Sequence, residues 1–354
     1  MFNKFVVIIF GGISNESLIS IRSTISVVKY LYYAGHSIKL FFIDINGTWI
    51  DINLNIDISI VSEKYFIHMI EKSVSIAISK VVDYLKNKCD VVFPLIHGNQ
   101  GEDGTIQGFL DIIDVPYVGC DLISSVKAWD KSVAKIILDK HNIPVVPFLS
   151  FSKLEYTNNI SHFNKKIKKL FLPPFFIKPS CSGSSIGVRK INDIRKLEYY
   201  ITELFQYDNV LIIEKAIEGK EIEMAIIGSD TNIIVGVPSE IAVFIKENFF
   251  SYDAKYLSKN IASIRIPAII TDHYVNIIKI LSKKIYAILN CNGMARVDFF
   301  ISRENAIYVN EVNTIPGFTV DSLYIKMLYS QGVSYISIIN LLIKSAIKKK
   351  IKKN

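Results

Sequence analysis

The residues most able to do chemistry lie on two predicted strands near the carboxyl end of the sequence. Arg296 and Asp298 alternate along the first strand. Glu311 and Asn313 alternate along the second. Successive side chains of a strand point to opposite faces, so each pair shares one face. If the strands form a hairpin centred on residues 304–305, Asp298 lies opposite Glu311 and Arg296 lies opposite Asn313.

Two opposed carboxylates on a hairpin need a counter-charge. Like charges directly across a sheet are destabilising, and a bound cation would reverse that penalty. Asp298, Glu311 and the Asn313 amide offer oxygen ligands of the kind that Mg²⁺ takes in proteins, together with water and phosphate oxygens. The alternative is an ordinary amphipathic hairpin whose polar face lies in solvent, because apolar residues dominate the other face.

Two loops could bind phosphate. The Ser- and Gly-rich segment 180–187 follows Lys178, and its small residues allow close approach of backbone N–H groups to an anion. It lacks the Gly-Lys-Ser/Thr ending of a P-loop. Lys255 beside Tyr256 could place positive charge on a phosphate under a covering loop. A flexible loop and a surface loop are the respective alternatives.

Single acidic and imidazole groups follow other predicted strands. His97 lies in a glycine-bracketed loop after a strand, where α/β proteins bind ligands. Glu16 begins a helix, where it could complement the helix dipole or bind a substrate ammonium. Glu214 and Glu221 flank Gly219. Glu214 lies where a hinge residue or a ribose-binding carboxylate could be, and the alternative for both is an ordinary surface residue. No G-x-S-x-G nucleophile motif is present.

The elements that must position these groups begin as an α/β unit. An apolar strand from residue 5 runs into Gly11-Gly12, then a helix, then a second strand. This order predicts the start of a doubly wound parallel sheet. We expect three domains, bounded at residues 1–120, 121–213 and 214–354.

Composition narrows the class of protein. Half of the 354 residues are hydrophobic and 21% are charged, which excludes general disorder. Six lysines among the last eleven residues leave only +2 of the +8 net charge on residues 1–343. We therefore expect a solvated tail and no nucleic-acid partner. No apolar run reaches the ~20 residues of a membrane helix. The four cysteines form no C-x-x-C pair, which favours a reducing compartment. The N-terminal segment shows no convincing signal-peptide cleavage site, so we expect a cytoplasmic protein.

Taken together, these motifs resemble the D-alanine–D-alanine ligase family of ATP-grasp enzymes. The resemblance covers nearly the whole chain in the family's order. It implies an α/β fold (α+β ATP-grasp), in which an N-terminal doubly wound parallel-sheet domain precedes two ATP-grasp domains. The matching segments are residues 10–16, 97–108, 129–131, 178–187, 219–221, 254–256 and 310–319.

The resemblance implies a role for each matching residue that binds nucleotide or metal. Phosphates of ATP would contact Lys131, Lys178 and Lys255, and the adenosine part would contact Glu214 and Glu221. Two Mg²⁺ ions, with Mn²⁺ as an alternative, would bind Asp298, Glu311 and Asn313.

It likewise implies roles around the amino acids. Glu16 would bind the ammonium of a first D-alanine, with His97 nearby. Ser184 and Tyr256 would join Glu16 in a hydrogen-bonded set. Arg296 and the Gly317 N–H would stabilise a tetrahedral intermediate, and Ser322 and Leu323 would receive the carboxylate of a second D-alanine.

The implied function is ATP-dependent synthesis of D-alanyl-D-alanine through an acyl phosphate. This dipeptide would serve peptidoglycan precursor synthesis, and through it cell-wall biogenesis and cell shape. The resemblance links Tyr256 to use of D-alanine rather than D-lactate, and it implies a homodimer. The alternatives are another ATP-grasp carboxylate–amine ligase, a D-alanine–D-lactate ligase, a non-catalytic nucleotide-binding protein, and a protein that binds nucleic acid through the basic tail.

Overall fold

The structure is a computed structural model of the 354-residue chain. It describes residues 3–14, 16–53, 62–184, 186–229, 232–243 and 262–353. Two of the predicted site residues, Lys255 and Tyr256, lie outside the described residues.

The first unit is an α/β sheet. Its described strands lie in the order β4-β3-β2-β1-β5, and β1 runs parallel to both β2 and β5. This confirms the predicted parallel core, to which β3 and β4 add an antiparallel edge. The elements are β1 (Phe5–Gly11), α1 (Ser17–Tyr33), β2 (Ser37–Ile43), β3 (Trp49–Ile52), α2 (Glu63–Lys72), β4 (Val74–Ser75), α3 (Ile78–Lys88), β5 (Val91–Ile96) and α4 (Thr105–Ile112).

The second unit is a four-stranded antiparallel sheet among the described residues, in the order β6-β9-β7-β8. Helices α8 and α9 pack on it around their own apolar cluster. The elements are α5 (Leu122–Trp129), α6 (Lys131–Lys140), β6 (Phe148–Ser152), α7 (Lys153–Asn158), α8 (Ile160–Leu170), β7 (Phe175–Pro179), β8 (Arg189–Ile191), α9 (Leu197–Leu204) and β9 (Val210–Lys215).

The third unit carries the predicted hairpin. Its described strands run in the order β13-β12-β10-β14-β15, and β11 pairs with the far half of β10. The elements are β10 (Gly219–Ser229), β11 (Asn232–Val235), β12 (Ser239–Val243), β13 (Ala262–Arg265), α10 (Asp272–Ile288), β14 (Gly293–Ser302), β15 (Ile307–Asn313), α11 (Leu323–Ser330) and α12 (Tyr335–Lys353).

The first and third units share one apolar core. Buried residues of β1, β5 and α1 pack with Met294, with Phe318 and with the apolar face of α12. Because α12 closes this core, the N-terminal unit is fixed against the sheet that holds the hairpin. The domain boundaries at residues 120 and 213 stay a prediction.

The prediction that the basic tail is purely solvated is wrong. It continues α12, and Lys349 lies 3.6 Å from Asp121 and over the ring of Tyr117. Lys350 pairs with Asp114. The reason is helical periodicity, which turns one lysine stripe toward acidic groups of the first unit. Within the described ranges, no helix combines the length and apolarity needed to cross a bilayer.

Candidate active site

The hairpin of β14 and β15 has the predicted register where the chemistry lies. Asp298 pairs with Glu311 and Arg296 pairs with Asn313, which confirms both expectations. Nearer the turn the prediction is wrong by one residue, since Phe299 pairs with Val309. The turn is tighter than assumed, with Ser302 and Ala306 hydrogen-bonded across it, and a bulge in β15 restores the register at the site.

Three carboxylates lie abreast across neighbouring strands. Glu223 on β10 pairs with Asp298, which pairs in turn with Glu311. Arg296 neutralises this row: its Nε and Nη2 each donate to one Asp298 oxygen at 2.7 Å, and its Nε lies 3.4 Å from Glu223. Burial alone would lower the pKa of Arg296, but Asp298 and Glu223 hold that pKa well above its ordinary value. The guanidinium is therefore a fixed positive charge.

Glu223 was missed at the sequence level. It follows Glu221 by two residues on one strand, so alternation already placed both on one face. What the sequence did not reveal is that β10 lies beside β14.

Glu16 links the first and second units. It precedes α1, and its carboxylate accepts a hydrogen bond from the Ser184 hydroxyl in the Ser/Gly loop. Two glycines make this approach feasible. A Cβ on Gly98 would lie 2.7 Å from Glu16 Oε2, and one on Gly183 would lie 3.2 Å from it. The structure thus brings together the two members of the predicted hydrogen-bonded set that it describes.

Lys131 joins the second unit to the hairpin. It begins α6, whose first turn is capped by Asp130 through the N–H groups of Ser132 and Val133. The Lys131 ammonium donates to the Ser182 carbonyl and lies 3.7 Å from Glu311 Oε2. The cap fixes the start of the helix, and so it fixes where this cation projects.

Lys178 and Glu214 form a second charged group with Lys135. Glu214 Oε2 lies 2.8 Å from Lys178 Nζ, and Glu214 Oε1 lies 3.0 Å from Lys135 Nζ. Burial, the largest influence, raises the pKa of Glu214, but the two lysines outweigh it and hold that pKa below its usual value. Burial also lowers the pKa of Lys135 to about 8, against the attraction of Glu214. Lys135 was missed, since its helical position carries no motif.

His97 has both ring nitrogens engaged by the protein. Its Nδ1 lies 2.9 Å from the Ile315 carbonyl oxygen, and its Nε2 lies 3.3 Å from Ser23 Oγ. Burial lowers the pKa of His97, against the attraction of the Glu16 carboxylate. A direct contact of His97 with substrate stays a prediction.

Glu102 is a further acidic group near the site. It lies in the matching segment 97–108, but the sequence analysis assigned it no role. One of its oxygens accepts the Gly98 N–H at 3.2 Å. Burial, and then repulsion from Glu16, raises the pKa of Glu102 to about 8, against the pull of Gly98 N–H and Arg296.

Several of these groups line a cavity of about 300 Å³ formed by residues of all three units. Lys178, Glu214 and Glu221 do not line it. Asp298, only 2% exposed, lies behind Arg296. Of the predicted site residues, the cavity is lined by Glu16, His97, Lys131, Ser184, Arg296, Glu311, Asn313, Gly317, Ser322 and Leu323, and the residues that sequence reasoning missed there include Glu102, Asp321 and Glu223.

The donor types on the hairpin, two carboxylates and one amide, are ones that Mg²⁺ takes in proteins. Asp298 and Glu311 are opposed, and each faces a cationic side chain that offsets their mutual repulsion. Both Asp298 oxygens accept from Arg296, and Asn313 Oδ1 accepts the Ile315 N–H at 3.0 Å, so these contacts would have to change for an ion to bind. In the described parts of the chain, no three His, Cys, Asp or Glu residues are grouped to hold an ion by themselves. Mg²⁺ commonly completes its coordination with water and phosphate oxygens.

An α/β unit followed by two antiparallel sheets, with Lys131, Arg296 and Glu311 lining the shared cavity and Asp298 behind Arg296, is the architecture of an ATP-grasp enzyme. The sequence agrees with this class over most of its length. Family models described as the N-terminus and the C-terminus of D-ala D-ala ligase match residues 5–120 and 137–344. The chain belongs to the D-alanine–D-alanine ligase family.

Individual relatives agree. The chain is 40% identical to the D-alanine–D-alanine ligase of Caldicellulosiruptor bescii, covering 97% of this chain and 95% of the relative. Among solved structures, that of the D-alanine–D-alanine ligase from Coxiella burnetii is 28% identical with a TM-score of 0.82, covering 99% and 97%. The VanG D-Ala:D-Ser ligase from Enterococcus faecalis is 31% identical with a TM-score of 0.84, covering 97% and 99%.

Proposed function

We propose that this enzyme joins two D-alanine molecules to D-alanyl-D-alanine at the expense of ATP, in the cytoplasm, for peptidoglycan synthesis. One observation carries the proposal: the same cavity is lined by the Glu16 carboxylate, the Arg296 guanidinium, the half-buried Gly317, Lys131 and Glu311. The family and its relatives support the same assignment.

In the first step, the carboxylate of one D-alanine attacks the γ-phosphorus of ATP, and ADP leaves. Glu16 holds the ammonium of this D-alanine, and Ser184 holds Glu16. Lys131 and Lys178 neutralise phosphate charge, and Lys255 does so from the covering segment. Such a transfer depends on positioning and charge neutralisation. Glu214 and Glu221 bind the adenosine part, and Glu214 also holds Lys178.

Asp298, Glu311 and Asn313 hold two Mg²⁺ ions, for which Mn²⁺ can substitute. Bound there, Mg²⁺ supplies charge neutralisation for the phosphate oxygens.

In the second step, the amine of the second D-alanine, having lost a proton, attacks the acyl carbon. Negative charge develops on the carbonyl oxygen and is met by Arg296 and the Gly317 N–H. Phosphate then leaves and the peptide bond is complete. Ser322 and Leu323 receive the carboxylate of the second D-alanine. Tyr256 joins Ser184 and Glu16 when the site closes and excludes water, which would otherwise hydrolyse the acyl phosphate.

We further propose that the enzyme is a homodimer without a nucleic-acid or membrane partner. Light scattering of the purified protein tests the dimer.

The decisive experiment measures phosphate release from ATP and Mg²⁺ with D-alanine, and identifies the product by mass spectrometry. Parallel reactions replace one D-alanine with D-lactate or D-serine, which separates the ester- and serine-forming alternatives. We expect D-alanyl-D-alanine as the main product. Absence of D-alanine-dependent phosphate release would refute the proposal.

A matched pair of variants tests the role of Arg296. Arg296→Lys removes the two-pronged contact with Asp298, so we expect kcat to fall by about 100-fold or more. Arg303→Lys lies on the same hairpin at its exposed turn and should leave kcat unchanged. Equal activity of the two variants would remove Arg296 from the mechanism.

A further inference from the structure

The segment that carries Gly317 is held by side chains from the first unit. We name residues 314–318 the Gly317 loop. The ring of His97, in the loop after β5, engages the Ile315 carbonyl at 2.9 Å. The hydroxyl of Ser23, on α1, accepts the Phe318 N–H at 3.2 Å. The backbone on both sides of Gly317 is therefore tied to the first unit.

The group at each end of this hydrogen-bonded chain determines which atoms donate and which accept. A carbonyl oxygen can only accept, so His97 Nδ1 carries the proton and donates to Ile315. His97 Nε2 is then an acceptor in the neutral ring, and it takes the single proton of the Ser23 hydroxyl. That leaves Ser23 Oγ free to accept from Phe318. One chain of donors thus runs from Phe318 through Ser23 and His97 to Ile315.

Gly317 sits between these two fixed points and faces the cavity. Its neighbours Ile315 and Phe318 are 2% and 0% exposed, whereas Gly317 is partly exposed and lines the cavity. Within the described residues no backbone acceptor is paired with the Gly317 N–H. The loop therefore presents this donor to whatever occupies the cavity.

We infer that Ser23 is a positioning residue, whose hydroxyl acts with His97 to aim the Gly317 N–H at the carbonyl oxygen that becomes negative. The inference rests on the proposed function for the identity of that oxygen. In this arrangement the Ser23 hydroxyl is the partner of His97 Nε2. Ser23 thereby receives a role, although it belongs to no motif of the sequence.

The burial of the chain of hydrogen bonds makes the loop depend on it. Ser23 is 0% exposed and His97 is 4% exposed, so water does not replace a lost partner. Removing the Ser23 hydroxyl leaves the Phe318 N–H and the His97 Nε2 unpaired together, and buried unpaired groups drive local rearrangement. Displacement of a backbone donor by about 1 Å can cost about 100-fold in rate.

The test compares two serines on the same helix. Ser23→Ala should lower kcat by about 10- to 100-fold while the KM for ATP changes less than about threefold. Ser20→Ala is the control, because Ser20 is equally buried and also makes two hydrogen bonds, to Gly11 and Leu95, away from the Gly317 loop. We expect its kcat to stay within about threefold of the unchanged enzyme.

Two further variants retain all or part of the hydrogen-bonded chain. Ser23→Thr retains the hydroxyl and should restore most of kcat. His97→Asn retains a donor near the Nδ1 position but loses the Nε2 acceptor, so it should share the kcat loss of Ser23→Ala. If Ser23→Thr does not fold, His97→Asn decides in its place.

Hydrogen–deuterium exchange of the peptide spanning 314–322 gives a readout independent of catalysis. We expect faster exchange in Ser23→Ala and unchanged exchange in Ser20→Ala. Equal kcat in the two alanine variants, or unchanged exchange in Ser23→Ala, would overturn the inference. If the unchanged enzyme releases no phosphate with D-alanine, the proposed function fails, and the exchange experiment alone decides whether Ser23 holds the loop.

Discussion

Neutralising Glu102 should stabilise the protein, and more so as the pH rises. The substitution Glu102→Gln keeps an oxygen that can accept the Gly98 N–H. It removes a carboxyl group whose pKa is raised to about 8 by burial and by Glu16. The variant therefore isolates the free energy of ionising this one group in its folded surroundings.

The magnitude follows from proton linkage. An unfolded chain ionises this glutamic acid near pH 4.5, whereas the folded protein keeps the proton up to about pH 8. Between these values the folded state binds more protons, so the wild-type free energy of unfolding falls as pH rises. Each pKa unit corresponds to about 1.4 kcal/mol, giving an upper bound of about 5 kcal/mol. Glu102 keeps partial access to the cavity, so we expect about 2 kcal/mol.

The assay is urea unfolding at pH 5 and pH 8, in EDTA and without nucleotide. The gain in unfolding free energy of Glu102→Gln over the wild type should be small at pH 5 and larger by about 2 kcal/mol at pH 8. Glu71→Gln is the control, because the Glu71 side chain is 68% exposed and keeps its water on folding. A gain that is the same at both pH values would refute the reasoning.

Two other substitutions test the charged group and the close approach of glycine. Glu214→Gln should lower the unfolding free energy by about 3 kcal/mol or more, because it leaves two buried lysines without a counter-charge; Glu203→Gln, whose arginine partner is 34% exposed, should lose about 1 kcal/mol or less. Gly98→Ala should cut activity at least tenfold, because the added Cβ would push Glu16 aside. Gly35 also has a positive φ but has open space around it, so Gly35→Ala should lose about 1–2 kcal/mol of stability and keep its activity. Equal stability losses for the two glutamate variants, or equal activities for the two glycine variants, would contradict these accounts.

The fold and the family could be predicted because strong local signals agreed along the chain. The apolar strand before Gly11-Gly12 and the alternation in β14 and β15 are set by residues close in sequence. The register of Asp298 opposite Glu311 was also predictable, although the assumed turn was not the actual one. The tighter turn shifts the pairing by one residue and the bulge in β15 shifts it back. Neither feature has a recognisable signal in the sequence.

The neighbours of these residues could not be predicted. Glu223 reaches Arg296 only because β10 pairs with β14 across about 70 residues of intervening chain. Lys135 on α6 meets Glu214 on β9 across about 80 residues of chain, and Lys349 and Lys350 on α12 meet Asp121 and Asp114. Each of these contacts depends on the packing of elements that are distant in sequence.

The sequence by itself determined which side chains share a strand face, which loops are small enough to approach an anion, and to which family the chain belongs. Only the tertiary structure decided that Ser23 and His97 tie the Gly317 loop to the first unit, and that burial and the nearby Glu16 raise the pKa of Glu102. The reason is that alternation and turn chemistry are local, whereas hydrogen-bond partners and desolvation depend on what the folded chain packs against each group.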